Sequence, residues 1–373
     1  LLIFLVLLVS ACAPTVQPVI LPSSTIPLLS TSMPEAPTLT PVPALPPATF
    51  TPTLTPLPPT LALAMEYPVT IIPLGGSLEK PKAEISGLAW YGDTLILLPQ
   101  YPDKFDDVVF ALTKSEIQAF LAGDTSAPLT PQTIPFLAPD FEEILDGFEG
   151  FESIGFAGDR AFLTIETETD DAEIGYLVAG NLAPDLSELR VEDALLSEIP
   201  PQGESKNMTE EALLLAGDYV VTLHETNGAA INSAHLAHRF TQDTLALVDA
   251  VPFPTIEYRI TDATDLDAEG RFWAINVLSP EDAEKLTPAP DSLVQEYGEG
   301  PTHARFTTVE RLVEFQYTET TILRTATPPI QLQLIDDDTP RNWEGVVRLG
   351  DEGFLIVTDK HPETILGFVA YTE

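Results

Sequence analysis

From Tyr67 onward the chain alternates short apolar runs with breaks containing Gly and Asp, and one arrangement recurs. Ser86-Gly87-Leu88-Ala89-Trp90-Tyr91-Gly92-Asp93 leads into Leu95-Ile96-Leu97-Leu98. Glu152-Ser153-Ile154-Gly155-Phe156-Ala157-Gly158-Asp159 leads into Ala161-Phe162-Leu163-Thr164-Ile165. Glu211 to Asp218 does the same before Tyr219-Val220-Val221-Thr222-Leu223, and Glu344 to Asp351 before Phe354-Leu355-Ile356-Val357. A looser copy, Asp262 to Gly270, precedes Phe272-Trp273-Ala274-Ile275. Each copy reads as a strand, a tight turn and a second strand rich in β-branched or aromatic residues, which is a hairpin. More strand-like stretches follow, such as Ile174-Gly175-Tyr176-Leu177-Val178. The repeating unit is therefore about four strands, the size of a propeller blade.

The copies are spaced by 66, 59, 51 and 82 residues, and only 30 residues remain from Glu344 to the end. That last stretch is one strand short of a unit. Val69-Thr70-Ile71-Ile72-Pro73-Leu74 is similar to Gln132-Thr133-Ile134-Pro135-Phe136-Leu137, so it can supply the missing strand. The expected fold is an all-β propeller of four-stranded blades, closed by its N-terminal strand so that no sheet edge is left at the seam. Five blades fit the count. Six stay open, because the 82-residue interval holds either a loop insertion around Ser279 to His303 or a unit without the signature.

Upstream the pattern is different. Leu1 to Val9 is wholly apolar and too short to cross a bilayer, which takes ~20 helical residues. It has the length of a signal-peptide core, and Val9-Ser10-Ala11-Cys12 looks like a bacterial lipobox. Residues 1–12 are thus expected to be a signal segment, with Cys12 lipidated and the chain exported and anchored to the bacterial membrane. Residues 13–66 hold 14 Pro, ten Thr, four Ser and two charges, and read as an extended linker of up to ~150 Å. Residues 67–373 form the propeller domain, expected to be monomeric.

Composition narrows the chemistry. With 17 Lys+Arg against 57 Asp+Glu the formal charge is −40, which repels phosphate backbones and excludes nucleic acid as a partner. A single Cys excludes internal disulfides and multi-Cys metal sites. No HExxH, P-loop, dinucleotide fingerprint or G-x-S-x-G elbow occurs. His235 and His238, three apart in a strand, point to opposite faces and make a poor metal pair. Trp343, beside Glu344, reads either as blade packing, the commoner role, or as a pocket floor.

In a propeller, the start of each blade's first strand and the end of its second share one rim. Ser86, Glu152, Glu211, Asp262 and Glu344 stand at the starts. Gln100, Glu166, Glu168, His224, Glu225, Asn276, Asp359, Lys360 and His361 stand at the ends. Converging oxygen ligands suit Ca²⁺, which takes six to eight at flexible angles. The candidate metal ligands are Glu152, Glu166, Glu211, Glu225, Asp262, Glu344 and Asp359. Recurring acids also arise from repeat architecture alone.

Gly150-Phe151-Glu152-Ser153-Ile154-Gly155-Phe156 with Thr164-Ile165-Glu166, then Lys206 to Leu213 and Arg341 to Val346, resemble the phytase-like, or esterase-like, bacterial β-propeller proteins. The resemblance implies rim carboxylates at Glu152, Glu211 and Glu344 with partners Glu166 and Glu225. It also implies calcium and phosphoester hydrolysis, with Glu152 or Glu211 positioning water. Two functions are therefore in view: ligand or partner binding at a carboxylate-lined rim with calcium as a candidate ion, and calcium-dependent phosphoester or ester hydrolysis. Paired carboxylates leave glycan binding or cleavage as a third.

Overall fold

The computed structural model describes residues 63–79, 82–169, 173–202, 208–232, 234–335 and 338–372. Residues 1–62, with Cys12, the signal segment and nearly all of the linker, lie outside them, as do Lys206 and Asn207. No helix among the described residues is long and apolar enough to cross a membrane.

The chain is mostly β. The N-terminal strands are β1 (Glu66–Tyr67) and β2 (Val69–Ile72), so Glu66, counted with the linker in the sequence, belongs to a strand. A first unit contains β3 (Ile85–Tyr91), β4 (Thr94–Pro99), β5 (Val108–Thr113) and β6 (Gln132–Leu137). A second contains β7 (Phe148–Ala157), β8 (Arg160–Glu168), β9 (Glu173–Leu182) and β10 (Leu189–Glu198). The third runs β11 (Glu210–Ala216), β12 (Tyr219–His224), β13 (Leu236–Thr241) and β14 (Leu247–Pro252). The fourth has β15 (Arg259–Ala263), β16 (Arg271–Leu278), β17 (Val309–Thr318), β18 (Thr321–Arg324) and β19 (Ile330–Leu332). The last has β20 (Trp343–Arg348), β21 (Gly353–Thr358) and β22 (Leu366–Ala370).

Neighbouring strands pair in chain order except in the fourth unit, where β18 and β19 both pair with β17, and β6 joins β10 in parallel to merge the first two units into one sheet. The N-terminal strands complete two units: β1 pairs with β19, and β2 pairs antiparallel with β22. The first strands pack in a closed cycle, β3 on β7, β7 on β11, β11 on β15, β15 on β20 and β20 on β3. Five apolar clusters fill the wedges between successive units: one joins Ala89 and Ile96 to Ile154, for example, and another joins Leu88 to Val347. Strands that bury both faces must be apolar on both, hence runs such as Leu95 to Leu98, all without exposure. This is a β-propeller.

Two glycine roles explain the repeat. Gly92, Gly158 and Gly217 begin two-residue hairpin turns at φ 59°, 61° and 61°, the left-handed conformation that Gly adopts without penalty. Gly345 faces the next first strand so closely that a Cβ would lie 2.8 Å from Leu88 Cγ. Between β16 and β17, where an insertion was one of two expectations, lie α1 (Asp282–Leu286) and α2 (Ser292–Tyr297) and no strand.

Candidate functional site

The repeating acid has a local structural cause. Ile85 pairs with Pro99 and Gly87 with Leu98, so Ser86 is one residue too many for its partner strand. The same register shift leaves Glu152 extra between Phe151 and Ser153, Glu211 between Glu210 and Ala212, and Glu344 between Trp343 and Gly345. Such β-bulges bend the strand and re-aim the extra side chain. All four bulge residues line one cavity of about 340 Å³. Glu166, Gln100, Asp359, Lys360 and His361, from second-strand ends, line it too, with Glu84, Met208, Arg259, Asp282, Lys285 and Asn342.

Two of the seven candidate metal ligands are elsewhere, and the expected rim residues Glu168, His224 and Asn276 do not line the cavity either. The fourth bulge holds Thr261 and Asp262, and the Asp262 carboxyl accepts from the Val346 backbone N–H at 2.7 Å, bracing β15 to β20. Thr261 Oγ1 donates to Trp343 O at 2.6 Å in the same seam. Glu225 has no exposure and lies behind the cavity wall. Trp343 is fully buried, with Nε1 donating to Glu310 Oε2 at 2.8 Å, so it packs and floors nothing.

The fourth unit contributes Arg259 in place of an acid, and sequence reasoning missed it. Its Nε donates to Glu225 Oε1 and its Nη1 to Asn342 Oδ1 at 2.9 Å. Its Nη2 reaches Glu344 at 3.2 Å and Glu211 at 3.4 Å, and Asp282 stands 3.7 Å from Nη1. The signal was an Arg entering a buried strand three residues before Asp262, in a chain with few cations. Glu84 was also missed; it takes bonds from Lys104, at 2.8 Å, and from Lys360.

Burial governs the protonation of this cluster. It pushes Glu152 and Glu211 well above the usual carboxyl range, aided by Glu166 beside the first and Glu225 beside the second. Burial likewise raises Glu166 and Glu344 to about 8, the second against the opposing pull of Arg259. Burial raises Glu225 too, although the Arg259 charge works against it. Glu84 moves the other way: burial would raise it, but the bonds from Lys104 and Lys360 hold it down. Glu166 Oε1, buried on the wall, has no hydrogen-bond partner among the described residues.

Calcium does not fit this arrangement. Among the described residues no three His, Cys, Asp or Glu side chains are set to hold a metal ion. The guanidinium of Arg259 occupies the space between Glu211, Glu225 and Glu344 that an ion would need.

No family model matches the chain, and no curated protein does. Similar solved structures include glycoside hydrolases. An endo-arabinanase from Bacillus licheniformis aligns at TM-score 0.45 and 10% identity, over 81% of this chain and 97% of its own. A Cellvibrio cellulosa arabinanase mutant aligns at 0.43 and 10%, over 78% and 91%. A Bombyx mori β-fructofuranosidase mutant aligns at 0.41 and 14%, over 78% and 61%. No residue role passes from them to this chain.

Proposed function

We propose that the chain is an exported protein, lipid-anchored at Cys12 and spaced from the membrane by residues 13–66. We infer that its propeller has five blades of four-stranded design, the last closed by β2, and binds a small cationic ligand in the axial cavity. One observation carries the reading. Seven carboxyl-bearing residues, Glu84, Glu152, Glu166, Glu211, Asp282, Glu344 and Asp359, line the cavity against Arg259, Lys285 and Lys360. An ammonium or guanidinium group would replace protons on the raised carboxyls and give Glu166 Oε1 a donor. The volume suits a small molecule.

The test is thermal unfolding of the purified chain with methylammonium, guanidinium, glycerol and Ca²⁺ in turn. A ligand that binds only the folded state raises the melting temperature, by an amount that grows with its concentration. A rise with the organic cations alone supports the reading. A rise with Ca²⁺ or glycerol and none with the amines overturns it.

A second reading has its own observation: Glu166 and Glu344, at about 8, keep their protons at neutral pH and could act as general acids. Glycoside cleavage then fits better than phosphoester cleavage, because the excess of acids repels phosphate. Turnover of nitrophenyl glycosides, abolished in Glu344→Gln, would establish it, and an inert wild type would end it.

A further inference from the structure

A second cavity, of about 470 Å³, adjoins the first, and Arg259, Asp282, Asn342 and His361 line both. Its polar groups are largely committed. The Arg341 backbone N–H and Nε each donate to Glu310 at 2.9 Å, and Arg341 Nη2 donates to Gln333 O at 2.7 Å. Glu310 Oε2 also takes the Trp343 Nε1–H, and Ser279 Oγ donates to Asp282 at 2.8 Å. What remains for a ligand is an apolar wall of Val277, Leu278 and Val309, with Pro280, Pro340 and Pro362, and, at the exposed edge, the Glu281 carboxylate.

The chambers therefore differ in kind. One is lined by acids, with Met208 its single apolar side chain; the other offers hydrocarbon around a self-satisfied ion pair. We propose that together they bind one amphiphilic cation. Its ammonium or guanidinium head lies among Glu152, Glu166, Glu211 and Glu344, and its aliphatic body crosses Arg259 and Asn342 into the second chamber. This rests on the cation-binding reading of the first cavity and adds the class of molecule that fills the pair. The apolar walls would gain from the body by removing it from water, and the acids would discriminate the head by charge.

Calorimetric titration of the full-length chain with methylammonium, butylammonium, hexylammonium and hexan-1-ol tests it. Each buried methylene adds ~0.8 kcal/mol, so affinity should rise about fourfold per added carbon from butyl- to hexylammonium. Hexan-1-ol should not bind measurably. Val309→Asn, on a half-buried position of β17, should remove most of the chain-length gain and leave methylammonium affinity unchanged. Pro280→Asn, at an exposed lining position, should do the same if Val309→Asn fails to fold. Methylammonium binding with no gain from the longer chains, or a gain that survives both variants, overturns the two-chamber ligand and spares the first reading. Hexan-1-ol binding as well as hexylammonium overturns the cationic head. Binding of no amine at all removes both.

Discussion

Arg259 Nε donates to Glu225 Oε1 at a point where the Glu225 side chain has no exposure. A carboxylate so placed is tolerated only because a guanidinium faces it; alone it would have to keep a proton or disrupt the wall. Removing one partner of a buried pair typically costs ~3–5 kcal/mol, whereas replacing both by apolar groups can be nearly neutral. We expect Arg259→Leu to destabilise by about that amount and Arg259→Leu with Glu225→Leu to recover most of it. Urea unfolding of the two variants measures this. Equal losses in both would show that Arg259 acts through Glu211 and Glu344 instead.

The bulge acids should behave otherwise. Burial favours the protonated forms of Glu152 and Glu211, and a protonated carboxyl resembles a carboxamide in shape and hydrogen bonding. Glu152→Gln and Glu211→Gln should each change stability at pH 7 by less than ~1 kcal/mol. Asp262→Ala should lose ~1–3 kcal/mol, because it orphans the buried Val346 N–H. A Glu211→Gln loss as large as that of Arg259→Leu would mean that Glu211 is ionised and paired.

How much of this was legible depended on whether a feature repeats. The hairpin signature marks Gly158 and Glu152 because the same turn and the same bulge recur in successive units. The closing strand Val69 to Ile72 could be matched to its counterpart before the second copy. Arg259 and Asp262 break the repeat: equivalent by position to the acids elsewhere, the fourth bulge sends its carboxyl to a neighbouring backbone and lets a cation in three residues earlier. A metal was expected because the acids could be read from the sequence and their counter-charge could not. The second chamber was hidden for another reason, since its walls come from five separated segments, at residues 259, 277–282, 309–310, 339–342 and 361–362.

Stability should fall as pH rises across the neutral range. Glu166 and Glu344 titrate at about 8 in the folded chain but near 4.3 when unfolded. Between those values the folded state binds more protons than the unfolded state, so each group lowers stability by up to ~1.4 kcal/mol per pH unit. Below pH 4 both states are protonated and the effect vanishes; above about 8 it levels off. Glu66, Glu84, Asp249 and Asp267 are held low, and their opposing contributions are complete by about pH 5; His238, held low by burial, opposes the decline only up to about pH 6.5. Melting temperature should therefore decline from pH 5 to pH 8, and Glu344→Gln should flatten the decline. A profile that rises over this interval would contradict the protonated cluster.

Ligand binding should also move protons. A cation entering the cavity stabilises the ionised forms of Glu166 and Glu344 and lowers their pKa, so carboxyls that were protonated at pH 7 release protons as it binds. Titration calorimetry of methylammonium in two buffers of different ionisation enthalpy counts them. We expect on the order of one proton released per ligand at pH 7 and fewer at pH 9.5, where Glu166 and Glu344 are already ionised. Glu344→Gln should reduce the release without abolishing it, since Glu166 still titrates. Because methylammonium itself stays charged at pH 7, a heat that does not depend on the buffer would place its binding away from these carboxyls.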